Sequence, residues 1–288
     1  MKLNLRKRFR LKRFELEHAL GITRRGWFIP YRYISTSPPP NTHYPSDIFQ
    51  SSIAEITATL KIAAEFNDTW SNFDGNRKPP APRFNQDWFT GLDAAILYGL
   101  VRTLKPKLIV EIGSGHSTRF AAQALSDGKV ESKIIAVDPA PRADISALTD
   151  RVEIRLESVQ STPLDIFKKL KKDDILFIDS SHILMPGSDV DILFNRILPV
   201  LPEGVLIHIH DIFLPSPYPP HWDWRGYNEQ NALATMLAGG NYQIVAANQF
   251  ARIHLKKTIE DLFSDLPPFP NGALETSLWL KKISDELS

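Results

Sequence analysis

Four short apolar runs, each carrying an acid or histidine at or near its end, constrain the fold of this 288-residue chain more than any other feature. They are "KLIVEI" (107–112), "KIIAVD" (133–138), "DILFID" (174–179) and "GVLIHIHD" (204–211). Runs rich in Ile, Leu and Val without strict alternation are strands buried on both faces. "RVEIRL" (151–156), "YQIVAA" (242–247) and "SLWLKK" (277–282) supply three more strands. Helical stretches fall between them: "HSTRFAAQAL" (116–125), Glu229–Leu237 and Thr258–Phe263. Val190, Leu193, Phe194, Ile197 and Leu198 mark another helix, with Ser188 or Asp189 as its cap. Such alternation predicts a mostly parallel sheet with helices on both faces. Right-handed crossovers then place ligands at the carboxyl ends of the strands, where the acids and histidines lie.

Upstream, "STSPPPNTHYPS" (35–46) reads as an extended linker. Phe49, Ile53, Ile56, Leu60 and Ala63 then recur at spacings of four and three. They share one face of a helix within 47–67, which needs a partner: the main domain or a second copy of the chain. "FDGNRKPPAPRF" (73–84) is a second breaker-rich segment. A longer helix starts near Asp87, carries Leu92, Ile96, Leu97, Leu100 and Leu104, and stops before Pro106. The expected division is a basic arm, linker and accessory helix over 1–83 and a ligand-binding domain over 84–288.

The chain has no cysteine, which excludes disulfides and thiolate chemistry. No apolar run approaches a membrane span, and the basic N-terminus lacks the apolar core of a secretory signal, so the expected location is cytoplasmic. Residues 1–25 hold nine Lys/Arg against two acids, leaving the rest at −6. A basic arm on an acidic body suits an anionic lipid surface, nucleic acid or a neighbouring subunit, with a merely solvated arm as the plain alternative. No nucleic-acid motif accompanies it, so no nucleic-acid partner is expected.

In "VEIGSGHSTRF" (110–120), Gly113 and Gly115 permit a sharp strand-to-helix turn open to a ligand. A dinucleotide fingerprint would carry a third glycine, where this chain has Thr118. Glu111, two residues before Gly113, opposes a phosphate and suits a cationic ligand such as S-adenosylmethionine. Asp138 closes the next strand, where a carboxylate can accept both ribose hydroxyls. As a plain turn, the same residues would make Glu111 a helix-end partner.

Taken together, these motifs resemble the class I S-adenosylmethionine-dependent methyltransferases, and "EIGSGHST" and "FIDSSH" resemble a branch distantly like catechol-type O-methyltransferases. The likeness spans about residues 85–282. It implies a Rossmann-like α/β fold with a mostly parallel seven-stranded sheet, helices on both faces, the last strand antiparallel, and an N-terminal helical extension here. It also implies that Glu111, Gly113, Ser114, Gly115 and Ser117 surround the methionine part, Asp138 the ribose, and Val159 and Gln160 the adenine. The chain departs from many relatives at His116-Ser117, where the Ser117 or Thr118 hydroxyl can cap the helix.

"DSSH" (179–182) and "HIHD" (208–211) sit at strand tips where the acceptor would lie. His208, one residue deeper, reads as a core histidine. Methyl transfer to oxygen needs a deprotonated acceptor, hence a base or a metal. The resemblance implies a divalent ion at Asp179, His210 and Asp211, with Asp179 also beside the cofactor. His182 is the alternative base, and His210 shares the mouth of the site. "FLPSPYPPHWDWRGYNEQ" (213–230) reads as a lid over a small-molecule acceptor, or as an aromatic plug. The expected activity is O-methylation of a sugar or natural-product hydroxyl. The competing readings are a nicotinamide-dependent oxidoreductase, against which Glu111 argues, and a non-catalytic binding module. The 47–67 helix admits a homo-oligomer.

Overall fold

The computed structural model describes residues 5–23, 31–36, 44–73, 75, 77–270 and 272–284. Lys2, Arg24 and Arg25 of the basic arm, residues 37–43 of the first linker and residues 74 and 76 of the second lie outside the described residues.

All seven expected strands form one sheet: β1 (Leu108–Ile112), β2 (Lys133–Val137), β3 (Val152–Arg155), β4 (Ile175–Ile178), β5 (Leu206–Ile209), β6 (Tyr242–Ala247) and β7 (Leu278–Lys282). Their order is β3-β2-β1-β4-β5-β7-β6. β1 to β5 pair in parallel, and β7 inserts antiparallel between β5 and β6. Each central strand is buried on both faces, as the apolar runs require. The polar residues at the ends of the runs (Asp138, Asp179, His210 and Asp211) fall just past the last paired residue of their strands.

The helices are α1 (Leu5–Ala19), α2 (Asp47–Ser51), α3 (Ile53–Ala64), α4 (Leu92–Leu104), α5 (His116–Asp127), α6 (Asp165–Lys168), α7 (Asp189–Ile192), α8 (Glu229–Ala238), α9 (Asn248–His254) and α10 (Lys256–Leu262). α1 runs through a segment free of Pro, Gly and β-branched residues, with Lys12–Glu15 and Arg13–Glu17 pairs along it. The expected helix within 47–67 is broken at Ser52, whose hydroxyl bonds back to the Ile48 carbonyl at 2.7 Å. α7 is capped by Ser188, which accepts from the Asp191 amide, and it then widens to i→i+5 bonding over Leu193–Ile197. The seven-residue α9 was not expected, because so short a helix shows too little periodicity.

α4 begins at Leu92 rather than near Asp87, and the cause is distant in sequence. The Leu92 amide donates to Glu275 at 2.6 Å, so a carboxylate from the C-terminal region caps the helix. Gly91 has φ 55°, and a Cβ there would lie 2.0 Å from Glu275 Oε1. No other residue fits.

The partner of the accessory helix is the main domain. Phe49, Ile56, Leu60 and Ala63 are buried in the same core as α4 and the sheet, as are Trp70 and Phe73. Residues 47–73 therefore belong to the core that the sequence reading began at 84. The covered face also removes the ground on which that helix implied a homo-oligomer. No helix among the described residues is long and apolar enough to cross a membrane.

Close approach of α3 to α4 depends on Gly99, where a Cβ would come within 2.8 Å of Ala63 Cα. Gly→Ala inside a helix ordinarily stabilises by about 1 kcal/mol. Here the sign should invert: Gly99→Ala should lose about 1–3 kcal/mol by overpacking, read as a lower urea midpoint at unchanged m value.

Candidate active site

The site is built along the carboxyl edge of β1, β2, β4 and β5. Gly113 leaves β1 with φ 78°, and its amide bonds to the Val137 carbonyl. A Cβ on Gly113 would sit 2.2 Å from the Asp179 carbonyl oxygen, so the turn is pressed against the tip of β4. Gly115 is different: its φ of 169° is extended, and a Cβ there would meet only Ala143, at 3.8 Å. The space beside it is open.

Glu111 does not face that space. It is 2% exposed, and its oxygens accept from Ser117 Oγ at 2.5 Å and Thr118 Oγ1 at 2.6 Å. Thr118 Oγ1 in turn accepts from the Gly115 amide at 2.9 Å and caps α5. Burial pushes Glu111 up to about 8, against the lowering effect of the two hydroxyls. Of the two roles the sequence left open to this carboxylate, ligand contact and helix-end partner, the fold displays the second: it clamps the start of the helix. Asp138 is half-buried and pins the loop from the other side. It accepts from the Ser114 amide at 2.8 Å, Ser114 Oγ at 2.9 Å and the Ala140 amide at 2.8 Å. Val159 lies in the core on a short turn, while the exposed Gln160 side chain reaches the Gly187 carbonyl at 3.3 Å.

Asp179, His182, His210 and Asp211 come together in one cluster. His182 Nε2 is 3.3 Å from Asp179 and 3.5 Å from Asp211, while His210 Nδ1 is 3.7 Å and 3.5 Å from the same two carboxylates. Behind each imidazole lies a wholly buried acid. Glu229 Oε2 is 2.8 Å from His182 Nδ1, and Asp93 Oδ2 is 3.3 Å from His210 Nε2. Asp93 is fixed by Asn248 Nδ2 at 2.6 Å and by the Thr276 and Ser277 amides at 3.0 Å. Burial alone would lower both imidazoles, but the surrounding carboxylates outweigh it and raise both well above the usual histidine range. Asp179 is held below the usual carboxylate range, because the two imidazoles outweigh its desolvation.

His182 and Asp211 both adopt left-handed backbone, at φ 61° and 56°. For non-glycine residues this costs on the order of 1 kcal/mol or more, and such strain collects at functional sites. His208 is the core histidine expected: it is fully buried, stacked on Phe177 at 3.7 Å, and bonded to Ser277.

Sequence reasoning missed Asp93 and Glu229, although each left a trace. Asp93 is spaced i, i+3, i+4, i+7 with Ile96, Leu97 and Leu100, and Glu229 is spaced i, i+4, i+8 with Leu233 and Leu237. An acid on the apolar stripe of a helix signals a buried partner.

The 213–230 loop packs against His182. Tyr227 lies 4.5 Å from the His182 ring, and the Asn228 and Glu229 amides both donate to the His182 carbonyl. Arg225 is held over Trp222, Trp224 and Tyr227 at 4.1, 5.1 and 5.3 Å. Gln230 anchors the loop base, accepting from the Phe213 amide and donating to the Ser216 carbonyl.

Strand order, glycine turn and polar edge together define a Rossmann-like α/β protein whose ligand site lies at the carboxyl ends of the strands. Residues 110–212 match a family model described as a methyltransferase domain. No curated protein matches the sequence. Among solved structures, a methyltransferase of Podospora anserina bound to SAH is 15% identical, covering 90% of this chain and 100% of its own, with a TM-score of 0.43. The O-methyltransferase TomG of Streptomyces achromogenes, involved in tomaymycin synthesis and complexed with SAM, is 15% identical, with coverages of 83% and 96% and a TM-score of 0.44. An O-methyltransferase of Bacillus cereus in complex with SAH is 15% identical, with coverages of 88% and 96% and a TM-score of 0.41.

Glu111 ties this site to stability. Its folded pKa of about 8 exceeds the ordinary value of 4.5, so the folded state holds a proton that the unfolded chain releases. The Glu111 contribution is full below pH 4.5 and lost as pH rises to about 8, with a slope of up to about 1.4 kcal/mol per pH unit. Glu111→Gln should flatten that slope in denaturant titrations at successive pH values.

Proposed function

We propose that the chain binds S-adenosylmethionine at the glycine-rich turn and transfers its methyl group to a hydroxyl of a small molecule, a sugar or natural-product ring, under the 213–230 loop. The observation that carries this reading is contact: Gly113 packs on the Asp179 carbonyl, so the turn adjoins the His182 cluster at the strand tips. Asp138 is fixed at the tip of β2, where a ribose diol would lie. Ser114, Gly115 and Ser117 border the methionine part, with Val159 and Gln160 towards the adenine. Glu111 acts through the loop it clamps.

Asp179, His210 and Asp211, with His182, are the residues that would hold a divalent ion. They do not fit one as they stand. Among the described residues no group of three or more His, Asp and Glu is arranged to hold a metal. Both imidazoles sit among carboxylates that keep a proton on them, and a proton competes with a metal for the same lone pair. The chemistry is therefore assigned to the imidazole. In the neutral form of His182, which rising pH populates, the acceptor hydroxyl gives its proton to Nε2 as its oxygen attacks the methyl carbon. The C–S bond breaks, its electron pair remains on sulfur, and the thioether nucleoside leaves. Glu229 steadies the imidazolium so formed, His210 holds Asp179 and Asp211 in place, and the loop excludes water.

Calorimetry with S-adenosylmethionine should show binding that Asp138→Ala weakens by at least tenfold. Protein that is folded but silent to the cofactor would end this reading.

His182→Ala should slow methyl transfer to hydroxylated sugars or phenols by about 10²–10⁴-fold with cofactor affinity kept, the range general base catalysis supplies. Glu229→Gln removes one of the carboxylates that hold the proton on His182. By NMR the His182 ring should then titrate at lower pH, and the rise of rate with pH should move the same way. Turnover that requires an added divalent ion, or is abolished by chelator, would instead return Asp179, His210 and Asp211 to service as metal ligands.

A further inference from the structure

Helix α1 carries apolar residues of very different exposure. Leu11, Phe14 and His18 are partly buried, whereas Leu5, Phe9, Leu16 and Leu20 are 80, 78, 59 and 64% exposed. At about 100° per residue these four project within a sector of about 60°. They form a single stripe along α1, and Leu20 extends it one residue past the end of the helix. Arg13, Arg6 and Arg10 follow in turn on one side of the stripe, and Lys12 borders it on the other. Residues 5–19 contain six Lys/Arg against two acids, a net of +4. Both acids are engaged along the helix, Glu15 with Lys12 at 2.6 Å and Glu17 with Arg13 at 3.2 Å.

We infer that this face docks in the plane of an anionic lipid bilayer, with Leu5, Phe9, Leu16 and Leu20 entering the acyl boundary and the flanking arginines meeting headgroup phosphates and carboxylates. Charge and apolar area decide among the occupants. Nucleic acid would neutralise the arginines but leave the Leu/Phe stripe in water. A second copy would cover the stripe by bringing two +4 helices side by side, which their repulsion opposes. A bilayer interface rich in acidic lipid satisfies both features at once. The helix is too short and too polar to span, so the docking is peripheral and reversible.

The test is sedimentation of the full chain with large vesicles of phosphatidylcholine alone or with about 30% phosphatidylserine, the acidic headgroup of cytoplasmic leaflets. Partitioning should be at least tenfold stronger onto the acidic vesicles and should fall by at least tenfold as salt rises through the range that shortens screening from about 10 Å to about 3 Å. The double variant Phe9→Glu, Leu16→Glu alters only exposed positions. It should lose the partitioning while keeping the wild-type urea midpoint. Arg6→Glu, Arg10→Glu should lose it too. Equal binding to neutral and acidic vesicles, or wild-type binding by the Phe9/Leu16 variant, overturns the inference. So does a lipid-free dimer by light scattering that the same variant dissociates, since the stripe would then belong to a second copy. Tight binding of a short RNA that survives the Phe9/Leu16 variant, without vesicle binding, overturns it as well.

Discussion

The buried carboxylates of Glu229 and Asp93 carry the organisation of the polar edge. Each lies behind an imidazole and turns it outward, so that His182 Nε2 and His210 Nδ1 converge on Asp179 and Asp211. An ionised acid cannot be removed from water without hydrogen bonds or charge to replace hydration. Asp93 finds its replacements in Asn248, Thr276 and Ser277, which belong to the far end of the chain. Glu229 finds them in His182 and Ser180. The same bonds fasten α4 to β7 and α8 to the tip of β4. Site geometry and fold closure therefore share one set of interactions, and loosening either acid would disturb both.

Backbone strain follows the same logic. His182 and Asp211 are held in left-handed conformations, uncommon for any residue with a Cβ. The Asn228 and Glu229 amides grip the His182 carbonyl, and Thr276 Oγ1 holds Asp211 at 3.1 Å. The surroundings over-determine both residues. Preorganisation of this kind stores the reorganisation in the fold, so that little remains to be done when an acceptor arrives.

How much of this was legible in the sequence depends on how far each signal travels along the chain. The strands were legible because a segment buried on both faces must be apolar over its own length, as "LIVEI" and "DILFID" are. Gly113 was legible because a tight turn at a strand tip needs a left-handed residue. The start of α4 was not, since its cap is Glu275, 183 residues away. Asp93 and Glu229 were overlooked for the same reason: a single acid on an apolar stripe matters only through partners that the topology brings to it. Of the two roles the sequence allowed Glu111, ligand contact and helix-end partner, its bonds to Ser117 and Thr118 display the second, a contact that strand alternation alone does not specify.

That last point changes the electrostatics expected of the cleft. The reading from residues alone made two fixed negative charges, Glu111 and Asp138, the attraction for a cationic ligand. With its folded pKa near 8, Glu111 is mostly neutral at pH 7, and its oxygens already have donors. Asp138, fixed at the tip of β2 by Ser114 and Ala140, is then the carboxylate placed to meet a cationic or hydroxylated ligand, while Glu111 serves the glycine turn by holding Ser117 and Thr118.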